Sequence, residues 1–235
     1  MCSSDLADND MGVFSFDPNA KNIQYKAIES IPKSNLVGLR LYESMGLMVV
    51  VHTNGAYVVD LKTYKIKSQV KKPDEGGTYA LYERGLRYFS DISPDKSKLL
   101  LYGGHEEIDN KSVEFVYCYD LATKSLMWTY KGSWMSNVRF IDNGKKVSLT
   151  SVYDLTELDV NTGKPVGKPT TVSKSSWEWT TVLSPSGNRA VTTLYDEQKS
   201  GLGPDIDVFD MATKKQTGVL KSPDARVEAM IFFER

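Results

Sequence analysis

Residues 103–110 hold the densest group of side chains able to coordinate a divalent ion: His105, Glu106 and Asp109. Imidazole and carboxylate ligands suit several metals, so an ion site is one interpretation of this segment. A solvated turn is the other, and it is favoured because the chain has no His-Glu-x-x-His helix, P-loop or EF-hand spacing. We therefore predict a polar turn here, with no metal and no cofactor.

A second polar segment, residues 195–205, is longer than its counterparts and includes Asp196 and Glu197. Long loops often carry function, so these two acidic residues are candidate contacts for a ligand or partner. His52 is the only histidine besides His105. An imidazole general base is therefore available, but no neighbouring motif directs it to a reaction, and we assign no catalytic residue.

Two tryptophans, Trp134 and Trp177, lie near the starts of predicted strands, and Trp179 follows closely. They can form an aromatic contact patch for a partner or a sugar, or they can wedge between neighbouring structural units, which is the more common role. The candidate ligand- or partner-binding residues are His52, His105, Glu106, Asp109, Trp134, Trp177, Asp196 and Glu197.

The charge balance restricts the classes of partner. The 235 residues include 29 Lys+Arg and 30 Asp+Glu, a formal net charge of -1. Such a chain has no basic excess for a phosphate backbone or an anionic membrane surface, so we expect no nucleic acid partner. No apolar run approaches the roughly 18 residues of a spanning helix, which predicts a soluble protein. Its compartment is left open, because two cysteines fit the cytoplasm and the periplasm equally.

The chain has two cysteines, Cys2 and Cys118. That number cannot build a disulfide framework or a cysteine-based zinc site. Residues 1–6 read back into codons from a GTG start as the end of a sequencing-library adapter, which favours a scar. A lipid anchor at Cys2 and native sequence are the alternatives, although no apolar region precedes the cysteine.

A short unit recurs five times along the chain. It consists of an apolar strand, an aspartate, a few residues that usually include threonine, and a second strand. The aspartates are spaced by about 43, 60, 39 and 51 residues, close to the ~40–50 of propeller blades; they are Asp17, Asp60, Asp120, Asp159 and Asp210.

A second hairpin alternates with the first. Its turns are of the Ser-Pro or Asn-Gly type, as at Ser93, Asn143 and Ser184. Aspartate and serine side chains accept hydrogen bonds from backbone N–H groups in such turns, while glycine and asparagine tolerate left-handed backbone. These residues are therefore turn formers rather than catalytic motifs, and two hairpins per repeat predict four strands per repeat.

The apolar pattern separates inner from outer strands. Residues 48–51 and 99–101 are continuous apolar runs, as expected of strands buried on both sheet faces. Residues 62–72 place lysines along a strand of moderate apolar content. Charge on an exposed strand discourages pairing with another chain, so we read these lysines as edge protection rather than a basic binding stripe.

The Ser-Pro turns at Ser93 and Ser184, each followed by an apolar strand and then by Asp ahead of Thr, resemble WD40-like and YVTN-type β-propeller repeats over about residues 12–235. The resemblance implies an all-β propeller of four-stranded antiparallel blades. No copy has the Trp-Asp dipeptide, and two histidines cannot supply a recurring Asp-His-Ser/Thr-Trp network. The chain resembles a divergent member, whose ligands would lie over the central channel, on the loops between blades and between second and third strands.

The repeats predict four complete blades flanked by two half-blades, with residues 1–11 forming a disordered or artefactual N-terminus. The half-blades either close on each other in a five-bladed ring or leave an open arc of a larger ring. The arc is favoured because the suspected scar and a stop at a first-strand boundary indicate a fragment. The complete blades cover about residues 35–72, 80–132, 135–172 and 177–222, and the half-blades 12–30 and 225–235.

Three enzymatic interpretations compete with a binding role. Residues 119–128 resemble a quinoprotein propeller repeat, but Lys124 replaces its glycine and only this copy has the tryptophan, Trp128. A lactonase-like propeller would need carboxylates and a histidine converging at the channel mouth. Residues 184–187 lack the nucleophile-elbow pattern of serine hydrolases. We predict a non-catalytic binding platform for a protein or other macromolecule, with a lactonase-like or quinoprotein-like enzyme, its site partly in missing blades, as the alternative.

Overall fold

The chain is almost entirely β-structure. The computed structural model describes residues 10–17, 22–32, 36–52, 54–73, 89–108, 111–133, 135–151, 154–171, 178–184, 186–194, 206–213 and 215–221. Among these residues, no helix has the length and apolar character needed to cross a membrane. Within these ranges, eighteen strands form one two-stranded and four four-stranded antiparallel sheets.

The first strands form an N-terminal ribbon, followed by the first complete sheet. The ribbon consists of β1 (Asp10–Asp17) and β2 (Asn22–Pro32). Blade 1 contains, in order, β3 (Leu36–Tyr42), β4 (Leu47–His52), β5 (Gly55–Asp60) and β6 (Ile66–Lys71).

Three further blades repeat this arrangement. Blade 2 contains β7 (Phe89–Ile92), β8 (Lys98–Ile108), β9 (Lys111–Asp120) and β10 (Ser125–Gly132). Blade 3 contains β11 (Met135–Ile141), β12 (Lys146–Ser151), β13 (Asp154–Asp159) and β14 (Thr170–Thr171). Blade 4 contains β15 (Glu178–Leu183), β16 (Arg189–Leu194), β17 (Ile206–Asp210) and β18 (Lys215–Leu220).

Every blade is a meander, with its strands hydrogen-bonded in chain order. This confirms the predicted fold class of four-stranded antiparallel blades. Among the described strands none of blade 4 pairs with the ribbon, and the described sheets are not closed. The predicted C-terminal half-blade, residues 225–235, lies outside the described residues.

The middle strands of blade 2 are buried on both faces, as the continuous apolar run predicted. Leu99 and Leu101 pack with residues of blade 1, whereas Leu100 packs with residues of blade 3. Tyr117 and Cys118 of β9 divide between the two interfaces in the same way. Each such side chain contributes about 1.5–3 kcal/mol by leaving water, so neighbouring blades stabilise each other.

The N-terminal ribbon covers only part of blade 1. Ile28 and Ile31 pack on Met48 and Val50, but the leucines of β3 on the same sheet face are 40 to 49% exposed. These are Leu36, Leu39 and Leu41. Strand β11 has a bulge in the same place, and its corresponding residues are Met135, Val138 and Phe140. They pack on blade 2 and are at most 6% exposed. The ribbon therefore covers the inner strands of blade 1 less completely than blade 2 covers those of blade 3.

The fourth strand β6 shows the alternation expected of an edge. Ser68 and Val70 are buried, whereas Lys67, Gln69 and Lys71 are exposed. Charged side chains on the outer strand keep it from pairing with another sheet.

Aspartates close the corner between third and fourth strands in all four blades. Oδ1 of Asp60 accepts hydrogen bonds from the backbone N–H groups of Lys62 (3.0 Å) and Thr63 (2.8 Å) and from the Thr63 hydroxyl (3.1 Å). The bond from the Thr63 N–H is the main reason that the pKa of Asp60 falls to about 2. The same bonds recur at three other pairs, Asp120 with Thr123, Asp159 with Thr162 and Asp210 with Thr213. These four aspartates are turn formers, as their residue type before threonine predicted, whereas residues 18–21, which follow Asp17, lie outside the described ranges.

Candidate functional site

The residues proposed from the sequence as binding residues are only partly described. His52 ends β4, is buried, and makes an edge-to-face contact with the Tyr57 ring at a centroid distance of 5.4 Å. His105 and Glu106 belong to β8, with only their backbone described. The remaining candidates, Asp109, Trp134, Trp177, Asp196 and Glu197, lie outside the described residues.

The turn expected over residues 103–110 was wrong in its extent. Pairing of β8 with β9 continues through His105 opposite Glu114 to Ile108 opposite Lys111, so the connection is reduced to residues 109–110. In blade 1 the equivalent hairpin already closes at His52 opposite Gly55. The backbone hydrogen bonds between β8 and β9 continue although the side chains there are polar, and it was this polar composition that suggested a loop. Blade 2 thus presents a longer second-to-third-strand hairpin than blade 1.

No ion site is visible in the described portion of this hairpin or elsewhere in the described residues, which contain no group of three or more His, Cys, Asp or Glu side chains placed to hold a metal. The buried Cys118 is equally unsuited to nucleophilic chemistry. Burial raises the pKa of its thiol to about 12, so the thiolate is scarce at neutral pH.

A row of charged side chains crosses the first strands of three successive blades. It consists of Arg40 on β3, Asp91 on β7 and Arg139 on β11. Asp91 and Arg139 each precede the apolar residue that packs on the preceding blade, Ile92 and Phe140 respectively, and Arg40 holds the corresponding position. We call these three residues the inner row. The three residues occupy the same position in successive blades, and their charges alternate in sign.

Each member of the inner row contacts the next blade. Nη1 of Arg40 donates to the backbone oxygen of Ser90 at 2.6 Å and lies 4.0 Å from Oδ1 of Asp91. Oδ2 of Asp91 accepts from the backbone N–H of Phe140 at 2.8 Å. The inner row therefore connects blades 1, 2 and 3 through hydrogen bonds to charged groups, which are stronger than neutral ones.

Arg139 extends the same arrangement to blade 4. Its Nη1 donates to the backbone oxygen of Leu183 at 3.0 Å. Burial lowers the pKa of this guanidinium, and the positive charge of Arg40 adds to the effect. Burial also raises the pKa of Asp91, against the opposing influence of Arg40 and of the Phe140 N–H. The inner row is thus poorly solvated, and its charges act on one another.

Aromatic side chains provide further bonds between blades. The Tyr119 hydroxyl donates to the Lys71 oxygen at 2.9 Å, and the Tyr102 hydroxyl donates to the Met135 oxygen. Trp128 is 8% exposed, and its Nε1 donates to the Val160 oxygen of blade 3 at 2.9 Å. These hydrogen bonds fix the position of each blade relative to its neighbour. Their partners are backbone atoms, which carry no residue-type signal, so sequence reasoning missed these contacts.

Comparison with known proteins identifies the fold and nothing more specific. No protein-family model matches the chain, and no curated protein matches it. Hydrazine synthase of Kuenenia stuttgartiensis is similar over 83% of this chain and 52% of its own, with 15% identity and a TM-score of 0.56. Oligogalacturonate lyase in complex with manganese is similar over 90% of this chain and 60% of its own, with 14% identity and a TM-score of 0.62.

A eukaryotic initiation factor is similar over 94% of this chain and 54% of its own, with 10% identity and a TM-score of 0.55. The chain thus spans little more than half of the length of these structures. The synthase and the lyase have folds of the propeller type, so the four blades described here are propeller blades. At such low identity the similarity concerns the fold alone, because propellers host many unrelated activities.

Proposed function

We propose that this chain is part of a non-catalytic β-propeller that serves as a rigid binding platform for a protein or other macromolecule. The proposal rests on the structural role of two poorly solvated charged side chains. Asp91 and Arg139 both bond to backbone atoms of the next blade, an arrangement that fixes blade positions rather than exposing reactive groups. A rigid scaffold of this kind suits recognition by loops at its surface.

The proposed contact face carries the loops between blades and the hairpins between second and third strands. The β8–β9 hairpin, with His105 and Glu106, extends this face beyond the equivalent hairpin of blade 1. Trp134 and Trp177 are proposed as aromatic anchors, because buried aromatic side chains dominate many protein interfaces. Asp109, Asp196 and Glu197 would supply polar contacts around them, with His52 at the same end of blade 1.

The platform is tested by affinity capture with the purified chain as bait. A partner retained by the wild type should be lost with Trp134→Ala combined with Trp177→Ala, and retained with Leu126→Ala, which removes an exposed apolar side chain of the outer strand β10. Circular dichroism should show that all variants are folded. Capture that survives the double tryptophan variant, or the absence of any partner under gentle conditions, would contradict the proposal.

The enzymatic alternative stays a prediction from the sequence. Fold similarity to a synthase and a lyase does not transfer their reactions to this chain. If a turnover assay is found, His105→Ala combined with Glu106→Ala separates the two functions. A loss of turnover with unchanged partner capture would favour the enzyme, whereas a loss of capture alone would favour the platform.

A further inference from the structure

The inner row contains more positive than negative charge. Arg40 and Asp91 approach each other to 4.0 Å, so their charges largely cancel. Arg139 has its hydrogen bond to the Leu183 oxygen, but among the described residues no carboxylate lies within ion-pair distance of its guanidinium. Asp91 acts on Arg139 as well as on Arg40, so two guanidinium groups share one carboxylate and the row keeps a net positive charge. A poorly solvated excess charge is costly, because water that would solvate it has been removed.

The nearest described carboxylate along the same sheet face is already engaged. Arg139, Ser148 and Glu157 lie directly opposite one another on β11, β12 and β13 and therefore share one face of blade 3. Oε2 of Glu157 accepts from Nζ of Lys146 at 2.8 Å. The same face also carries Ile141 and Leu155, which pack with Leu183 and Ala190 of blade 4, so the polar row lies beside an apolar contact.

Ser148 supplies a second and independent indication of a ligand. It is 1% exposed, and its hydroxyl has no hydrogen-bond partner within the described structure. Residues directly opposite on antiparallel strands have Cβ atoms about 5 Å apart, which brings this hydroxyl beside the stem of Arg139. Buried hydroxyl groups are normally satisfied, so an unpaired one next to a poorly solvated guanidinium indicates room for an acceptor.

We infer that Arg139 and Ser148 form a binding site for a small oxyanion at the inner edge of the interface between blades 3 and 4. An oxyanion supplies a second negative charge beside the two arginines and an acceptor for both groups, since guanidinium binds planar and tetrahedral oxyanions through paired N–H donors. Arg40 strengthens the positive potential at this site, and Asp91 weakens it. This site is distinct from the surface loops of the proposed platform and does not depend on them.

Sulfate and acetate are suitable probes, one tetrahedral and one a carboxylate. Each is titrated against the purified chain at constant ionic strength, made up with chloride, while thermal unfolding is followed. At ten times its Kd a bound anion should raise the Tm by about 3 to 6 °C, and the response should saturate. Calorimetry should give one anion per chain, and the stronger of the two probes identifies the preferred geometry.

Arg139→Met should abolish the response, whereas the matched control Arg189→Met, which removes an exposed arginine of β16, should retain it. Ser148→Ala should weaken binding about fivefold, the effect of one hydrogen bond of ordinary strength. Asp91→Asn keeps an acceptor for the Phe140 N–H and removes the competing charge, so it should tighten binding severalfold.

The alternative is that Arg139 only fastens blade 4 through the Leu183 oxygen. The wild type would then not respond to either probe. An absent response in the wild type, or an equal response in wild type and Arg139→Met, would overturn the inference. If Arg139→Met does not fold, unchanged anion affinity in both Ser148→Ala and Asp91→Asn overturns it instead.

Discussion

Substituting alanine for Gly163 is the sharpest test of how blades 2 and 3 fit together. Gly163 has φ +66°, and a Cβ added there would lie 2.6 Å from Cδ2 and 2.7 Å from Cε3 of Trp128. The ring is fixed by its bond to the Val160 oxygen at 2.9 Å. It cannot move aside without losing this bond and its packing between the blades.

The expected loss of stability has two parts. Left-handed backbone costs alanine about 1 kcal/mol relative to glycine, and overpacking against the indole adds about 1–3 kcal/mol. Gly163→Ala should therefore lower the free energy of unfolding by about 2–4 kcal/mol. Gly46 is the matched control, because its φ is +67° and no atom lies within 4 Å of an added Cβ. Gly46→Ala should cost only the backbone part, about 1 kcal/mol.

Urea unfolding, followed by far-ultraviolet circular dichroism, gives the free energy of unfolding of both variants without relying on tryptophan fluorescence. Combining Gly163→Ala with Trp128→Leu should cost less than the sum of the single substitutions, because the smaller side chain removes the clash. Equal losses for Gly163→Ala and Gly46→Ala would refute the reasoning. They would mean that Trp128 does not rest on Gly163 in solution.

Three further predictions follow from burial and hydrogen bonding. Cys118 should stay unmodified by a thiol reagent at pH 8 in the native chain and react fully in denaturant, because its thiol is buried with a pKa of about 12. Hydrogen bonds, chiefly from the Thr63 N–H to Asp60 and from the Ser93 hydroxyl to Asp95, lower the pKa of both carboxyl groups to about 2. Their stabilisation is present above pH ~4 and is lost as the pH falls towards 2, so Asp60→Asn combined with Asp95→Asn should flatten this fall in acid unfolding curves. Hydrogen exchange should be slowest in residues 99–102, which are buried, and fastest in residues 215–220, most of which are exposed.

Each of these has a contrary result. Rapid labelling of Cys118 in the native chain would indicate that the interface between blades 2 and 3 opens. An unchanged acid profile in the double asparagine variant would assign the acid sensitivity to other carboxyl groups. Equal exchange in residues 99–102 and 215–220 would show that the blades unfold as one unit.

Local patterns predicted most of the fold. The continuous apolar run at residues 99–101 identified a strand buried on both faces, because alternate side chains of one strand face two different blades. The aspartate before threonine marked the corners, because its oxygen needs only the next three residues to form its bonds. The lysines of β6 marked an outer edge, because alternating charged side chains along one strand indicate that one of its faces is exposed.

The functional site was less predictable. The extent of the β8–β9 hairpin depends on where pairing stops, and the polar composition of residues 103–108 suggested a loop. The inner row escaped notice because Arg40, Asp91 and Arg139 are far apart in sequence and have different residue types. Their relationship becomes visible only when the first strands lie side by side.

The amino-acid sequence by itself determined the strands, their turns and the grouping into four-stranded units, since each depends on residues close together along the chain. The tertiary structure alone decided which charges face one another, why Trp128 requires glycine at position 163, and which backbone oxygen of blade 4 accepts from Arg139. These features arise from contacts between side chains and backbone atoms of different blades. Backbone atoms are the same in every residue, so such contacts leave little trace in the order of amino acids.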